Sequence, residues 1–402
     1  MMLIIEPFDT FFFRTGKGSL IGTEANISGQ SIFPPPPSLW YGALRTIYFT
    51  YHPEELQFAN TEKDPTLNLA IKGIFLIDLN IWEKQKSLEG ALYLPTPFDV
   101  MKDKDKGSKA EIKNIRYLKL RSTLNQEKIK GDAYTNSPFI DSLALEDEDN
   151  EEQKEHIASE AAIGTWMRVI DFSQKYYAGE TKDINLLTSK NFLEQEEKTG
   201  IKIDSVTRKA QEEHLYRVNY FRFKNLSKYS CGYAFALWIE GLDLPTSGFL
   251  KLGADAKPAA FWQIEQKEPN LPTIEQQSFE KFKVYLQTPA ILENGYLPRY
   301  IQNPREPFEF YGLKLRLLTV ATGNYVSIGG FDMKANKPKP MHRAINAGSV
   351  FYFELLEPTR ENIQKVIQVF HLQCFSDLAL LPQGVGTASY QGFGRSYLVP
   401  IA

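Results

Sequence analysis

The chain has 402 residues, 43% of them hydrophobic, which is enough apolar material for the cores of two globular domains. Lysine and arginine number 46 against 49 aspartate and glutamate, so the formal net charge is only -3 and any anion-binding surface must be a local patch. Two widely separated cysteines argue against both a disulfide-stabilised secreted fold and a structural metal, and no cofactor signature is present.

The N-terminal segment reaches Glu6 before a signal-peptide core could develop, and no apolar stretch is long enough to cross a bilayer. We therefore expect a cytoplasmic protein without a membrane partner.

The first part of the chain alternates short apolar runs with one helical segment. Four prolines at positions 34–37 are incompatible with a helix interior, but Ser38 directly after them is a favoured N-cap, which predicts a helix from there to His52. Uninterrupted apolar runs predict the strands, at residues 3–5, 71–79, 91–94 and 233–240.

From residue 101 to 213 the composition becomes polar and charged, with an acidic run at 145–160. We interpret this span as a long polar insertion in the first domain, with partial order around 166–172, because its apolar content is too thin for a separate core.

A second unit repeats the plan of the first. Residues 283–289 repeat the strand-then-proline opening of residues 3–7, and strands are predicted at 314–320 and 350–355, with an amphipathic helix at 362–370. The pattern predicts an α+β fold of two domains, 1–268 and 269–402, with helices on one face of each sheet.

A glycine-rich segment near the C-terminus is the first candidate binding site. Gly392 and Gly394 lack the Cβ that keeps a ligand away from the backbone, while Arg395 and Ser396 add a cation and a hydroxyl. Phe393 either stacks an unpaired base or fills the core. The spacing matches neither a phosphate loop nor a dinucleotide fingerprint, and it suits an extended polyanion better than a small metabolite.

The start of the predicted helix is the second candidate. Ser38, Gly42 and Arg45 follow one another at spacings of four and three, so they share a helix face near free N–H groups that attract anions. The alternative is structural: Ser38 acts as a cap only, and Gly42 accommodates a packed neighbour.

Two further arginines lie in glycine-flanked segments. Arg14 follows three phenylalanines, and Arg343 ends a proline-interrupted basic loop with Lys337 and Lys339. Each guanidinium either binds a phosphate bidentately or belongs to an ordinary exposed surface.

The alternative to a binding protein is an enzyme. Metal-independent RNA cleavage usually needs a general base, and His342, beside Arg343, is the credible candidate among the five histidines. No carboxylate cluster has recognisable two-metal spacing.

An ordered set of motifs resembles one known family, the third subunits of Cmr-type (type III-B) CRISPR effector complexes, within the RAMP superfamily. The matching segments lie at residues 12–14, 33–38, 42–45, 93–97, 200–204, 215–216, 250–253, 286–289, 329–332, 347–350 and 392–395.

The resemblance implies two ferredoxin-like (RRM-like) domains and a non-catalytic, RNA-binding subunit in antiviral defence. Such a subunit would hold the repeat-derived 5′ tag of the guide RNA at the foot of the complex. Its partners would be the guide RNA, the large polymerase-like subunit and the backbone RAMP subunits. Under the rival reading, the chain is a RAMP-superfamily endoribonuclease that processes CRISPR repeat RNA with His342 as base.

Overall fold

The structure is a computed structural model that describes most of the chain. The described residues are 1–14, 27–103, 111–112, 115–122, 139–145, 159–203, 207, 209–224, 232–266, 268–274, 278–332, 337–377 and 387–401. Most of the acidic run lies outside these residues. No helix among them is long and apolar enough to cross a membrane.

The strands of the first two thirds are, in chain order, β1 (Met2–Pro7), β2 (Ile27–Gln30), β3 (Ala70–Asp78), β4 (Leu92–Pro95), β5 (Val100–Asp103), β6 (Glu111–Ile112), β7 (Ile115–Ser122), β8 (Asp141–Leu145), β9 (Ser159–Ala161), β10 (Thr165–Arg168), β11 (Leu186–Thr188), β12 (Leu193–Ile203), β13 (Ala210–Phe223), β14 (Tyr233–Glu240), β15 (Ser247–Leu252) and β16 (Lys257–Ile264). The remaining strands are β17 (Lys281–Leu286), β18 (Ala290–Ile291), β19 (Phe308–Phe310), β20 (Leu313–Ala321), β21 (Val326–Ile328), β22 (Phe331–Asp332), β23 (Lys337–Pro338), β24 (His342–Ile345), β25 (Val350–Leu355) and β26 (Ser396–Ile401). The helices are α1 (Pro37–Tyr51), α2 (Leu79–Gln85), α3 (Val169–Asp171), α4 (Ser189–Phe192), α5 (Arg360–Phe370) and α6 (Ala388–Gln391).

Two large antiparallel sheets organise the molecule. The first has the order β15-β16-β1-β14-β3-β4-β10-β11-β6, and the second has the order β19-β20-β25-β17-β26. Smaller sheets are formed by β12-β13-β2, β18-β24-β21, β22-β23 and β8-β7-β5-β9.

Each large sheet carries one principal helix on its outer face. Side chains alternate along a strand, so Leu3 and Ile5 of β1 join Trp40 of α1 in one core, whereas Phe282 of β17 joins Phe370 of α5 in another. The inner faces of both sheets contribute to a third core. That shared core contains Ile4 and Trp238 of the first sheet, Tyr285, Tyr352 and Tyr397 of the second, and Phe172 and Tyr176 next to α3.

An ion pair at this shared core connects Asp99, between β4 and β5, to Lys283 of the second large sheet. The Asp99 carboxylate has no exposed surface, and it accepts hydrogen bonds from Lys283 Nζ at 2.7 Å and from Tyr176 and Tyr352 at 2.9 and 2.7 Å. Lys283 and Tyr352 belong to the second sheet. Burial raises the pKa of both phenols, with the Asp99 charge adding to the effect, so both stay protonated and act as donors.

The polar insertion is more ordered than the sequence indicates. We expected partial order around 166–172, but strands β5 to β12 all lie between residues 100 and 203. Met167 and Phe172 are buried in the shared core, and Trp166 and Phe192 are buried in the core next to α1, so the described part of this span packs into cores formed by the rest of the chain.

The helix after the prolines begins earlier than predicted. Its N-cap is Pro36, Pro37 is the first helical residue, and no side chain caps the helix, so the assignment of Ser38 as N-cap was wrong. Proline at the first helical position has a preset φ and no N–H to satisfy, so the helix can start inside the proline run.

Candidate nucleic-acid interface

A cleft of about 690 Å³ opens between the two units. Its walls come from five parts of the chain: the segment before α1, the segment from the end of β4 to β5, the β10–β13 region, the start of the second unit and the β21–β24 region. Polar groups are few, and they are Ser31, Thr96, Thr165, Ser189, Lys190, Gln195 and Asn346. The remaining walls are largely apolar, with Phe33, Trp166 and Phe221 among them.

The start of α1 lies at this cleft, but Arg45 is already occupied within the chain. Its guanidinium donates to Asp64 at 2.6 Å and to Thr66 at 2.8 Å. Burial alone would raise the pKa of Asp64, but hydrogen bonds from Thr66 and from the Asn60 N–H, with the Arg45 charge, outweigh burial and lower that pKa below its usual value. Arg45 therefore holds the loop that follows α1, and its contact with RNA stays a prediction.

Gly42 is more exposed than Ser38 and Arg45, which are both half-buried. Ser38 is half-buried in the first turn of α1, next to the lining residue Pro36. Gly42 is exposed, and a Cβ added there would meet no atom of the described residues within 4 Å, so none of these residues requires a glycine at this position.

The glycines near the C-terminus are required by contacts within the chain. Gly392 has φ of 85°, and a Cβ there would lie 3.0 Å from the carbonyl oxygen of Ile71. Gly394 has φ of 64°, and its Cβ would lie 2.6 Å from the backbone nitrogen of Ser376. Phe393 between them is buried in a small core. These residues pack against the protein, so the backbone approach predicted for RNA is made here by other segments of the same chain.

Arg395 and Ser396 are buried as well. Arg395 is 7% exposed, donates from Nη1 to the carbonyl of Leu372, and lies 5.5 Å from the centre of the Trp238 ring in the first sheet. Burial lowers the pKa of its guanidinium. Ser396 donates to the carbonyl of Phe370 at 2.7 Å. Gly392 to Ser396 thus link the second sheet to the first, and any contact of their side chains with RNA stays a prediction.

His371, close to Arg395, gives a testable pH dependence. Burial lowers its pKa to about 4; the Arg395 charge also lowers it, and a hydrogen bond involving the Pro272 backbone opposes this. In the unfolded chain His371 takes up a proton near pH 6.5, whereas in the folded chain it stays neutral down to about pH 4. Stability should therefore fall by up to about 3 kcal/mol as the pH falls through this window. His371→Gln should lose this part of the dependence in urea unfolding at pH 7 and 4.5.

The matched control is His52→Gln, because the His52 side chain, at the C-terminal end of α1, is 44% exposed. A parent chain and a His371→Gln variant with the same stability difference between the two pH values would contradict this assignment.

The two remaining predicted arginines lie on segments that border the cleft. Arg14 is exposed, and its backbone pairs with the lining residue Ser31. Arg343 is exposed on β24, opposite Ser327, and its guanidinium lies 5.0 Å from the centre of the Tyr325 ring. The structure thus places Arg14 and the start of α1 at the cleft, whereas the Arg343 side chain lies on the opposite face of the small sheet from the lining residues Val326 and Ile328.

Sequence reasoning missed several residues here. Lys190 and Gln195 come from the polar insertion, where no pattern singled them out. The sequence did contain a signal for Tyr325. Side chains alternate along a strand, so Val326 and Ile328 share an apolar face, and Tyr325 and Ser327 share the other face.

His342 stands in β24 opposite Ile328, half-buried. Its imidazole has no hydrogen bond or ion pair with the residues that the structure describes. One group at the end of α1, His52 with Glu54 and Glu55, is close enough to share an ion, but exposed acidic groups commonly gather without one.

The family of the chain follows from its sequence. The family model described as "CRISPR-associated protein (Cas_Cmr3)" matches residues 3–399. The chain belongs to the Cas_Cmr3 family. This confirms the resemblance on which the sequence expectations rested. A comparison with curated proteins finds no match.

Solved structures similar to this Cas_Cmr3 chain include subunits of CRISPR complexes. A chain of type III-B Cmr-beta bound to cognate target RNA and AMPPnP is 17% identical, with 92% of this chain and 89% of that chain covered and a TM-score of 0.45. Type III-B Cmr-beta with cognate target RNA gives the same identity and coverage and a TM-score of 0.44. A chain of the type III-A Csm3-Csm4 subcomplex is 12% identical, with 100% and 99% covered and a TM-score of 0.32.

Proposed function

We propose that the chain is a non-catalytic, RNA-binding subunit of a type III-B CRISPR effector complex. In this role it holds the repeat-derived 5′ tag of the guide RNA, in the cytoplasm, and contacts the large polymerase-like subunit and the backbone RAMP subunits. The family match over residues 3–399 carries the proposal.

The strand order of both sheets supports the RAMP-type plan of two ferredoxin-like domains. The order β16-β1-β14-β3 places the fourth, first, third and second of these strands side by side, and β26-β17-β25-β20 repeats it. The βαββαβ motif connects such strands with two helices. Each unit keeps one of them: α1 between the first and second strands, and α5 between the third and fourth.

The cleft supports RNA as the ligand. Its volume lies in the range of about 300–1,000 Å³ typical of small-molecule pockets, so it suits a short single strand rather than a duplex. Exposed Arg14 at the cleft, and exposed Arg343 on the outer face of the adjoining small sheet, can neutralise phosphates and release counterions. Ser31, Lys190 and Asn346 can hydrogen-bond to bases or sugars. The mechanism is positioning: the cleft fixes the path of the strand for neighbouring subunits.

The first test is to purify the chain with its associated proteins and to sequence the 5′ ends of the bound RNA. A shared repeat-derived 5′ tag ahead of variable sequence is expected. Replacing both Arg14 and Arg343 with glutamine should weaken RNA loading and reduce the slope of log K against log salt by about 1 for each lost phosphate contact. Lys314→Gln, on an exposed lysine paired with Glu357, is the matched control and should leave both unchanged.

Absent RNA, or RNA with random 5′ ends, would overturn the proposal. Metal-independent cleavage of repeat RNA by the isolated chain, abolished by His342→Ala, would instead establish the endoribonuclease.

A further inference from the structure

The small sheet β18-β24-β21 has one buried and one exposed face. Its buried face packs Ile291, Ile328 and Ala344 against Phe393 and Ala388. The side chains that alternate with these on β21 and β24 are Ser327 and Arg343, with Tyr325 and Met341 next to the strand ends. Tyr325 is 55% exposed and Met341 51%, so large apolar groups stand open on a surface that no other described segment covers.

Tyr325 and Arg343 form a defined pair on this exposed face. The guanidinium carbon lies 5.0 Å from the ring centre, within the range in which a cation is attracted to an aromatic ring. The backbone around Tyr325 is also held, because the Asn346 side-chain amide donates to the carbonyl of Asn324 at 2.6 Å. The Tyr325 ring and the Arg343 guanidinium, both flat, thus lie together next to a strand end whose backbone is held by a hydrogen bond.

The local charge indicates which partner fits this face. Residues 322–345 contain four lysines and arginines and one aspartate, although the chain as a whole is slightly acidic. Lys337 and Lys339, in the hairpin that precedes β24, are exposed. An apolar protein surface would gain little from this concentration of cations. A polyanion that also carries flat rings would use both features.

We propose that Tyr325 and Arg343 form a stacking platform for one unpaired nucleobase of the bound RNA, with Lys337 and Lys339 contacting the adjacent phosphates. This inference rests on the proposed function and adds to it a specific residue pair and a single-stranded ligand. The base must be unpaired, because a base inside a duplex has both of its faces covered by its stacked neighbours.

The test compares full-length variants for binding to a fluorescent single-stranded RNA with the sequence of the co-purified 5′ segment. Tyr325→Ala should weaken binding about 5- to 150-fold, whereas Tyr325→Phe, which keeps the ring, should bind as the parent does. The slope of log K against log salt should not change in Tyr325→Ala, because no charge is removed. Tyr311→Ala is the matched control, since Tyr311 is 67% exposed at the far edge of the second sheet.

The outcomes separate this inference from the function beneath it. If the parent binds the RNA and Tyr325→Ala binds it equally well, the platform is wrong and the RNA-binding role stands. If the parent binds no RNA, both proposals fail. If Tyr325→Ala keeps full RNA affinity but loses an associated protein on purification, the face is a protein-docking surface and the stacking proposal is overturned.

Discussion

Replacing Lys283 with methionine should lower the free energy of unfolding by about 3–5 kcal/mol, the usual cost of leaving a buried charge without its partner. The Asp99 carboxylate is fully buried, and Lys283 supplies the opposite charge at 2.7 Å. Without it, the carboxylate keeps the hydrogen bonds from Tyr176 and Tyr352, but its charge is uncompensated. Urea unfolding of the full chain measures the effect.

The control uses an ion pair of equal length on the surface. Lys314 and Glu357 also lie 2.7 Å apart, but both side chains are more than half exposed, so Lys314→Met should have no measurable effect. The double variant Asp99→Asn with Lys283→Met should recover part of the loss, because it removes both charges. Equal stabilities of Lys283→Met and Lys314→Met would show that the buried pair contributes nothing between the units.

Gly394→Ala should destabilise the fold by about 2–5 kcal/mol, from the left-handed backbone conformation and from overpacking together. The new Cβ would lie 2.6 Å from the backbone nitrogen of Ser376, which cannot move as the end of a flexible side chain can. The neighbouring chain is also held in place, because the Phe375 N–H donates to the Gly394 carbonyl at 2.7 Å. Thermal or urea unfolding of the variant tests this.

Gly42→Ala is the matched glycine control. Gly42 is helical and exposed, and an added Cβ would meet no described atom within 4 Å, so alanine there should stabilise the chain by about 0.5–1 kcal/mol. If Gly394→Ala were as stable as the parent but lost RNA, the glycine-rich segment would be a contact with RNA, as the sequence predicts. Loss of RNA in Gly42→Ala with unchanged folding would support close approach of RNA to α1.

Sheet strands were the most predictable part of the fold. The segments 233–240 and 350–355 coincide with β14 and β25, because both strands are buried on both faces and so read as continuous apolar runs. The start of α1 was less predictable. Ser38 and Pro37 both favour a helix start, and the sequence alone does not say which of the two signals determines it.

The glycine-rich segment shows why part of the site could not be predicted. Glycine allows any chain to approach closely, and the residue type is the same whether that chain is RNA or a distant part of the protein. Here the close neighbours are Ile71 and Ser376. Ile71 is far from Gly392 in sequence, so only the folded structure reveals the contact.

The cleft could not be predicted for a related reason. Its walls combine Ser31, Lys190, Pro289 and Asn346, which no local motif connects. Arg14 and Arg343 are exposed, and their role in RNA binding stays a prediction.

The shared core has a consequence for how a ligand would enter the cleft. Both walls rest on the same aromatic packing, in which Tyr285 and Tyr397 of one sheet meet Phe172 beside the other. Swinging the units apart would expose these rings and the Asp99 carboxylate to water. A hinge motion that opens the cleft and then closes it around a ligand is therefore unfavourable, and the cleft is preformed. A strand that binds there would lose its own freedom without the added cost of reshaping the protein.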